Sequence, residues 1–186
     1  MQAAQLADRL ECCPIIAAVR DDRFDQALSS PAEVLFYLEA SVMSVRERIG
    51  QAHEAGKTIF VHMDLAEGIG KDRAGLLFLS SCGVDGVIST RAQIIRTAKD
   101  LDLLTVQRFF ALDSQGMESV QEMLRSSNPH FMEIMPGVIP KAISRFSEGS
   151  IPVIAGGLIQ TKAEAVAALK SGAAAISTGC RELWYL

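Results

Sequence analysis

Short apolar, β-branched runs recur along the whole chain, and between them lie segments whose apolar positions follow helical spacing. The runs predict strands at Ile15–Arg20, Val34–Glu39, Thr58–Asp64, Gly86–Thr90, Leu103–Phe109, Phe131–Met135, Pro152–Ala155 and Ala174–Thr178. The segments between them predict helices over Ser44–Ala55, Asp72–Ser80, Arg91–Leu101, Ser114–Arg125, Pro140–Phe146 and Lys162–Ser171. Several boundaries are marked locally. Ser114 with Met117-Glu118 opens one helix, Pro140 suits a first turn, and Gly56 and Gly172 close two others.

Strands alternating with helices mean a parallel sheet with crossover helices, and eight strands is the number that closes a (β/α)8 barrel. Barrels of this kind usually take about 200 residues or more, whereas this chain has 186. The connection Asp21–Glu33 is too short, and too marked by Ser and Pro, for a full helix. The expectation is α/β: a single domain spanning 1–186, a small, trimmed (β/α)8 barrel of the TIM type with one or two helices missing. A doubly wound open sheet competes with it, but that fold would use a glycine-rich turn after its first strand to hold a nucleotide. None follows Arg20.

Composition supports a parallel sheet. Hydrophobic residues make up 49% and aromatics only 6%, so the core is aliphatic, as strands buried on both faces require. The net charge of −4 argues against a broad nucleic-acid surface and leaves room only for a local cationic cluster. Cys12, Cys13, Cys82 and Cys180 match no zinc or redox spacing and read as small buried apolar residues with free thiols. Asp8, Arg9 and Glu11 precede the first apolar run, unlike a signal peptide, and no run is long enough to span a bilayer. A cytoplasmic location is expected, with no membrane partner, no cofactor and no metal.

In such a barrel, ligands sit at the C-terminal ends of the strands, and phosphate often binds after strands seven and eight. Here strand seven runs into Gly156-Gly157 and strand eight into Ser177-Thr178-Gly179. Glycines let backbone N–H groups approach an oxyanion, and the two hydroxyls add donors. The plainer reading is that these glycines only make tight strand–helix turns. Asp64 and Glu67 stand on the glycine-bearing loop after strand three, where they suit polyol hydroxyls or merely cap a turn. His62 shares a face with Asp64 and reads as a satisfied core histidine. Glu133 lies inside the apolar run Met132–Met135 and needs a partner if buried; Arg108 and Arg20 are the candidates. Arg108 itself either holds Glu133 or reads a phosphate. No lysine lies in strand six for a Schiff base, and no nucleophile motif occurs. No catalytic residue is assigned, and a sensor is favoured over an enzyme.

The same segments resemble the glycerol-3-phosphate-responsive antiterminators, the glycerol uptake operon regulators of bacteria. The resemblance rests on Pro14–Arg20, on His62–Ile69, on Gln107-Arg108-Phe109-Phe110-Ala111-Leu112-Asp113-Ser114, on Met132–Lys141, and on Pro152–Ile159 with Ser177-Thr178 and Leu183-Trp184. It implies a small barrel that binds glycerol 3-phosphate and acts on leader mRNA of glycerol-utilisation genes to prevent termination. On that reading Gly156, Gly157, Ser177, Thr178 and Gly179 hold the phosphate. Chemistry and position assign the polyol to Asp64, Glu67, Arg108 and Glu133. The chain carries no RNA-binding motif; an RNA face would use Arg91, Arg96 and Lys99, or Lys141 and Arg145, and for either set alone a solvated helix face is the favoured reading. A homo-oligomer is left open. The alternative function is an isomerase or lyase acting on a small sugar or polyol phosphate, with Asp64 or Glu133 as general base.

Overall fold

A computed structural model describes residues 2–111 and 114–186. Leu112 and Asp113 of the resemblance segment lie outside the described residues, as do the side chains of Ser114 and Glu118 that mark the predicted helix start. The strands are β1 (Ile15–Val19), β2 (Val34–Tyr37), β3 (Thr58–His62), β4 (Gly86–Ser89), β5 (Leu104–Phe110), β6 (Phe131–Met135), β7 (Val153–Gly156) and β8 (Ala175–Thr178). Each pairs in parallel with its sequence neighbour, and β8 returns to β1 through Ile16↔Ser177, closing the barrel.

Side chains alternate inward and outward along each strand. Ile16, Val34, Phe36, Phe60, Ile88, Val106, Phe131 and Ile154 fill the barrel interior. The alternate positions, such as Ala17, Leu35, Ile59 and Val87, pack under the outer helices. Those helices are α2 (Phe24–Leu28), α3 (Val45–Glu54), α4 (Arg73–Ser81), α5 (Ala92–Lys99), α6 (Ser114–Ser127), α7 (Pro140–Ser147) and α8 (Lys162–Lys170).

The barrel is trimmed after its first strand. After β1 the chain makes a 3-10 turn at Asp21–Arg23 and then α2 of five residues. After β8 the chain makes a 3-10 turn, Arg181–Tyr185. Trp184 is fully buried in that turn and donates its indole N–H to the Thr178 carbonyl at 2.8 Å. The Ser/Pro-marked gap therefore does what its composition requires.

Besides the short α2, one further helix was not predicted. Helix α1 (Ala3–Cys12) precedes β1, and its Leu6 and Leu10, one turn apart, join the interior cluster of the barrel. Arg9 donates to the Gly56 carbonyl and to Thr58 Oγ1, at the start of β3, so α1 lies across the N-terminal end of the barrel as a plug. The expectation for the thiols is corrected: Cys12 is exposed and Cys13, Cys82 and Cys180 are half-buried, all four free. The adjacent pair falls where α1 unwinds toward β1, away from the packed layer. Among the described residues no helix is long and apolar enough to cross a membrane.

If α1 is the plug, Leu10→Ala removes buried packing that nothing else supplies. It should lower unfolding free energy by about 2–5 kcal/mol in a urea titration, while Glu11→Ala on the exposed face should stay within about 0.5 kcal/mol.

Candidate ligand pocket at the barrel mouth

At the C-terminal ends of the strands lies a cavity of about 540 Å³. Its walls come from β1 (Ala18), from Leu38 just after β2, from the β7 and β8 loops, and from Arg23 on the first 3-10 turn. Its floor holds Arg108 and Glu133.

Glu133 is fully buried, and the partner its burial demands is Arg108, whose Nε donates to Oε2 at 2.6 Å. The two residues are register partners on β5 and β6. Arg20, the other candidate, pairs instead with Glu39 at 3.0 Å. Ser177 on β8 reaches over β7 to donate its hydroxyl to Glu133 Oε1 at 2.7 Å. It can do so because Gly156 lies between: a Cβ there would come within 2.3 Å of Oε1. Gly156 thus makes room for a carboxylate of the protein itself.

This changes the donor set expected for an anion. A hydroxyl has one hydrogen to give. Ser177 gives its own to Glu133, and Thr178 gives its own to the Ile159 carbonyl at 2.7 Å. Neither hydroxyl is left to donate. The remaining donors are backbone. Gly157 and Leu158 follow one another at φ +76° and +62°, the left-handed region, which a leucine enters only at a cost of about 1–2 kcal/mol. Among the described residues the N–H groups of Gly157, Leu158 and Gly179 donate to no protein acceptor. Backbone amides that no ladder uses are donors available to an anion at this mouth.

Arg108 adds to it. Only its Nε is used by Glu133, and its Nη groups pair with no other described residue although the side chain lines the cavity. Arg23, which the sequence reading missed, donates to the Gly179 carbonyl at 3.2 Å and lines the same cavity. The signal for it was its place in the loop after strand one, which in a barrel opens onto the mouth.

The polyol candidates divide. Arg108 and Glu133 border the cavity, whereas Asp64 and Glu67 lie outside its lining. Asp64 accepts from Ser89 Oγ at 2.8 Å and from Thr90 N and Oγ1 at 2.7 and 2.9 Å. Burial would raise its carboxyl, but those hydrogen bonds outweigh burial and hold it below the usual carboxylate range. Glu67 ties its backbone to Ala40 and Val42 and leaves its side chain exposed. His62 is buried as expected of a core histidine, but it is not satisfied: its Nδ1 has no partner among the described residues.

Residues 15–184 match the family described as the glycerol-3-phosphate responsive antiterminator. The chain belongs to that family. An Escherichia coli protein, the uncharacterized protein YgcP, is 32% identical over 176 residues, covering 93% of this chain and 92% of its own. A glycerol uptake operon antiterminator-related protein from Thermotoga maritima superposes with a TM-score of 0.83 at 34% identity, covering 91% of this chain and 96% of its own. The glycerol uptake operon antiterminator regulatory protein of Listeria monocytogenes gives 0.87 at 31%, covering 92% and 95%. The antiterminator family is regulatory, so the chain is assigned to a regulator and not to an enzyme class.

Burial, and after it the charge of Arg108, push the His62 imidazole down from 6.5 to about 4. Between those values the unfolded chain binds a proton that the native chain refuses, so stability rises with pH across that window. Urea unfolding should show stability falling as pH drops from about 6.5 toward 4, with that component absent in His62→Gln. An imidazole that titrates near 6.5 in the folded protein by NMR would contradict it.

Proposed function

We propose that the mouth cavity binds glycerol 3-phosphate and that the chain, in that state, acts on leader mRNA of glycerol-utilisation genes as a transcription antiterminator. The observation that carries the ligand is the juxtaposition of the unengaged Gly157, Leu158 and Gly179 amides with the Nη groups of Arg108, which Glu133 leaves unused. The phosphate lies against those amides, with Arg23 as a second cation at the rim. Backbone N–H groups and guanidinium forks are the donors that suit phosphate oxygens. The three-carbon end then extends over the Arg108–Glu133 pair, where each carboxylate oxygen keeps a second lone pair for a ligand hydroxyl. Asp64 and Glu67 belong to a neighbouring loop in this arrangement.

The antitermination half of the reading is supported by family membership and by the relatives' names. If the two activities are coupled, ligand and RNA raise each other's affinity by the same factor. A titration of leader RNA with and without glycerol 3-phosphate measures that factor directly.

Calorimetry decides the ligand. Glycerol 3-phosphate should bind while glycerol alone does not. Gly157→Val should weaken binding roughly tenfold or more, because a side chain there meets Met135 and disfavours the left-handed backbone that presents the amides. Arg23→Gln should weaken it by a smaller factor. Undiminished affinity in a folded Gly157→Val protein counts against the site.

A further inference from the structure

Most arginines of this chain are tied down. Arg48 is held by Asp21 and Asp25, Arg46 by Ser81, and Arg20 by Glu39. Arg125 near the end of α6 and Arg145 in α7 are different. Both are exposed, and among the described residues neither forms a hydrogen bond or an ion pair. They line one groove of about 390 Å³ between the two helices, together with the amides of Gln121 and Asn128 and the hydroxyl-bearing Ser150. Glu122 and Glu148 belong to the same stretch of chain, yet no carboxylate lines the groove.

The cationic character continues sideways. Lys99 at the end of α5 donates to the carbonyl of Asn128, which borders the groove. Beyond it Arg96 and Lys99 share a second hollow with Ser127, which contains one acid, Asp100. Two sets of basic residues that are far apart in sequence, Arg96 with Lys99 and Arg145, are therefore joined into one flank by the C-terminal end of α6. In a chain of net charge −4, such a carboxylate-free arginine groove is a local reversal of sign.

The groove has a second chemical feature. Under the arginine rim its floor is apolar, formed by Leu124, Met132, Phe146 and Ile151. A rim of guanidinium and amide donors suits phosphate oxygens. An apolar floor suits the face of a base that is free to leave its stack, which single strands offer and duplexes do not.

We propose that the α6–α7 groove is where this protein holds single-stranded RNA, with Arg125 and Arg145 on phosphodiester oxygens and an unstacked base on the apolar floor. The inference rests on the antiterminator reading and adds the surface that reading lacks. The groove also has a definite relation to the mouth pocket. Met132 on β6 lines the groove, and the next residue, Glu133, lines the pocket. Gln107 on β5 accepts from Ser127 at the end of α6, and the next residue, Arg108, again lines the pocket.

The test uses the intact chain saturated with glycerol 3-phosphate and a randomised single-stranded RNA pool. The double substitution Arg125→Gln with Arg145→Gln should cut RNA affinity about tenfold or more and make the salt dependence shallower, by about 0.7 for each phosphate no longer neutralised. Its affinity for glycerol 3-phosphate should be unchanged, and Arg73→Gln on α4 should leave RNA binding as it was. RNA affinity and salt slope that survive the double substitution overturn the groove and leave the antiterminator reading standing. Wild-type protein that binds no RNA, with or without ligand, overturns both.

Discussion

The buried pair Arg108–Glu133 constrains everything at the mouth of this barrel. A carboxylate with no solvent exposure must be matched in charge and in hydrogen bonds, and four strands contribute to matching it. β5 supplies the guanidinium, β6 the carboxylate, β8 the Ser177 hydroxyl, and β7 withdraws its side chain at Gly156 so that Ser177 can reach across. A pair so costly to desolvate is weak as a source of stability. Its consequence is geometric: with Nε fixed on Glu133, the remaining Arg108 donors border the cavity beside the amides of the β7 loop.

The rest of the molecule can be small because the work of closing the barrel is shared out. A full helix is dispensable after β1 because Tyr37 and Arg48 cover that side: Phe24 of α2 packs edge-on against Tyr37 and under the Arg48 guanidinium. After β8, Leu183 and Trp184 of the 3-10 turn are both buried in the core, and the Trp184 indole pins that turn to the strand. At the opposite end, α1 seals the interior with two leucines. The plug and the pocket therefore divide the barrel, one end dry and aliphatic, the other polar and open.

Much of this was legible in the sequence, and the limits have physical causes. All eight strands and six helices fall within a few residues of their predicted places, because strands buried on both faces read as unbroken apolar runs. Helix α1 carries Ala3, Leu6, Ala7 and Leu10 at helical spacing, so its signal was present; it was passed over because it precedes the first strand and stands outside the strand–helix alternation. The location of the mouth was legible from Gly157 and Gly179. The roles of Ser177, Thr178 and Gly156 were not. A sequence shows that a hydroxyl or a glycine is present, and only the fold shows that Glu133 and the Ile159 carbonyl already claim the hydroxyl hydrogens. The left-handed Leu158 had no sequence signal at all, since leucine is not a residue that advertises a positive φ.

A parallel strand presents neighbouring residues to opposite faces, and this barrel uses that on the two strands where it matters. On β5, Arg108 faces the pocket while Gln107 takes the Ser127 hydroxyl of α6; on β6, Glu133 faces the pocket while Met132 faces the groove between α6 and α7. An anion seated on Arg108 acts on a side chain whose other end is fixed to β6, so a shift of either partner is felt by both strands. Those strands support the only pair of helices that carries the arginine groove among the described residues. Packed interiors transmit small displacements instead of absorbing them, so adjacent residues on these two strands join the proposed ligand pocket to the proposed RNA groove.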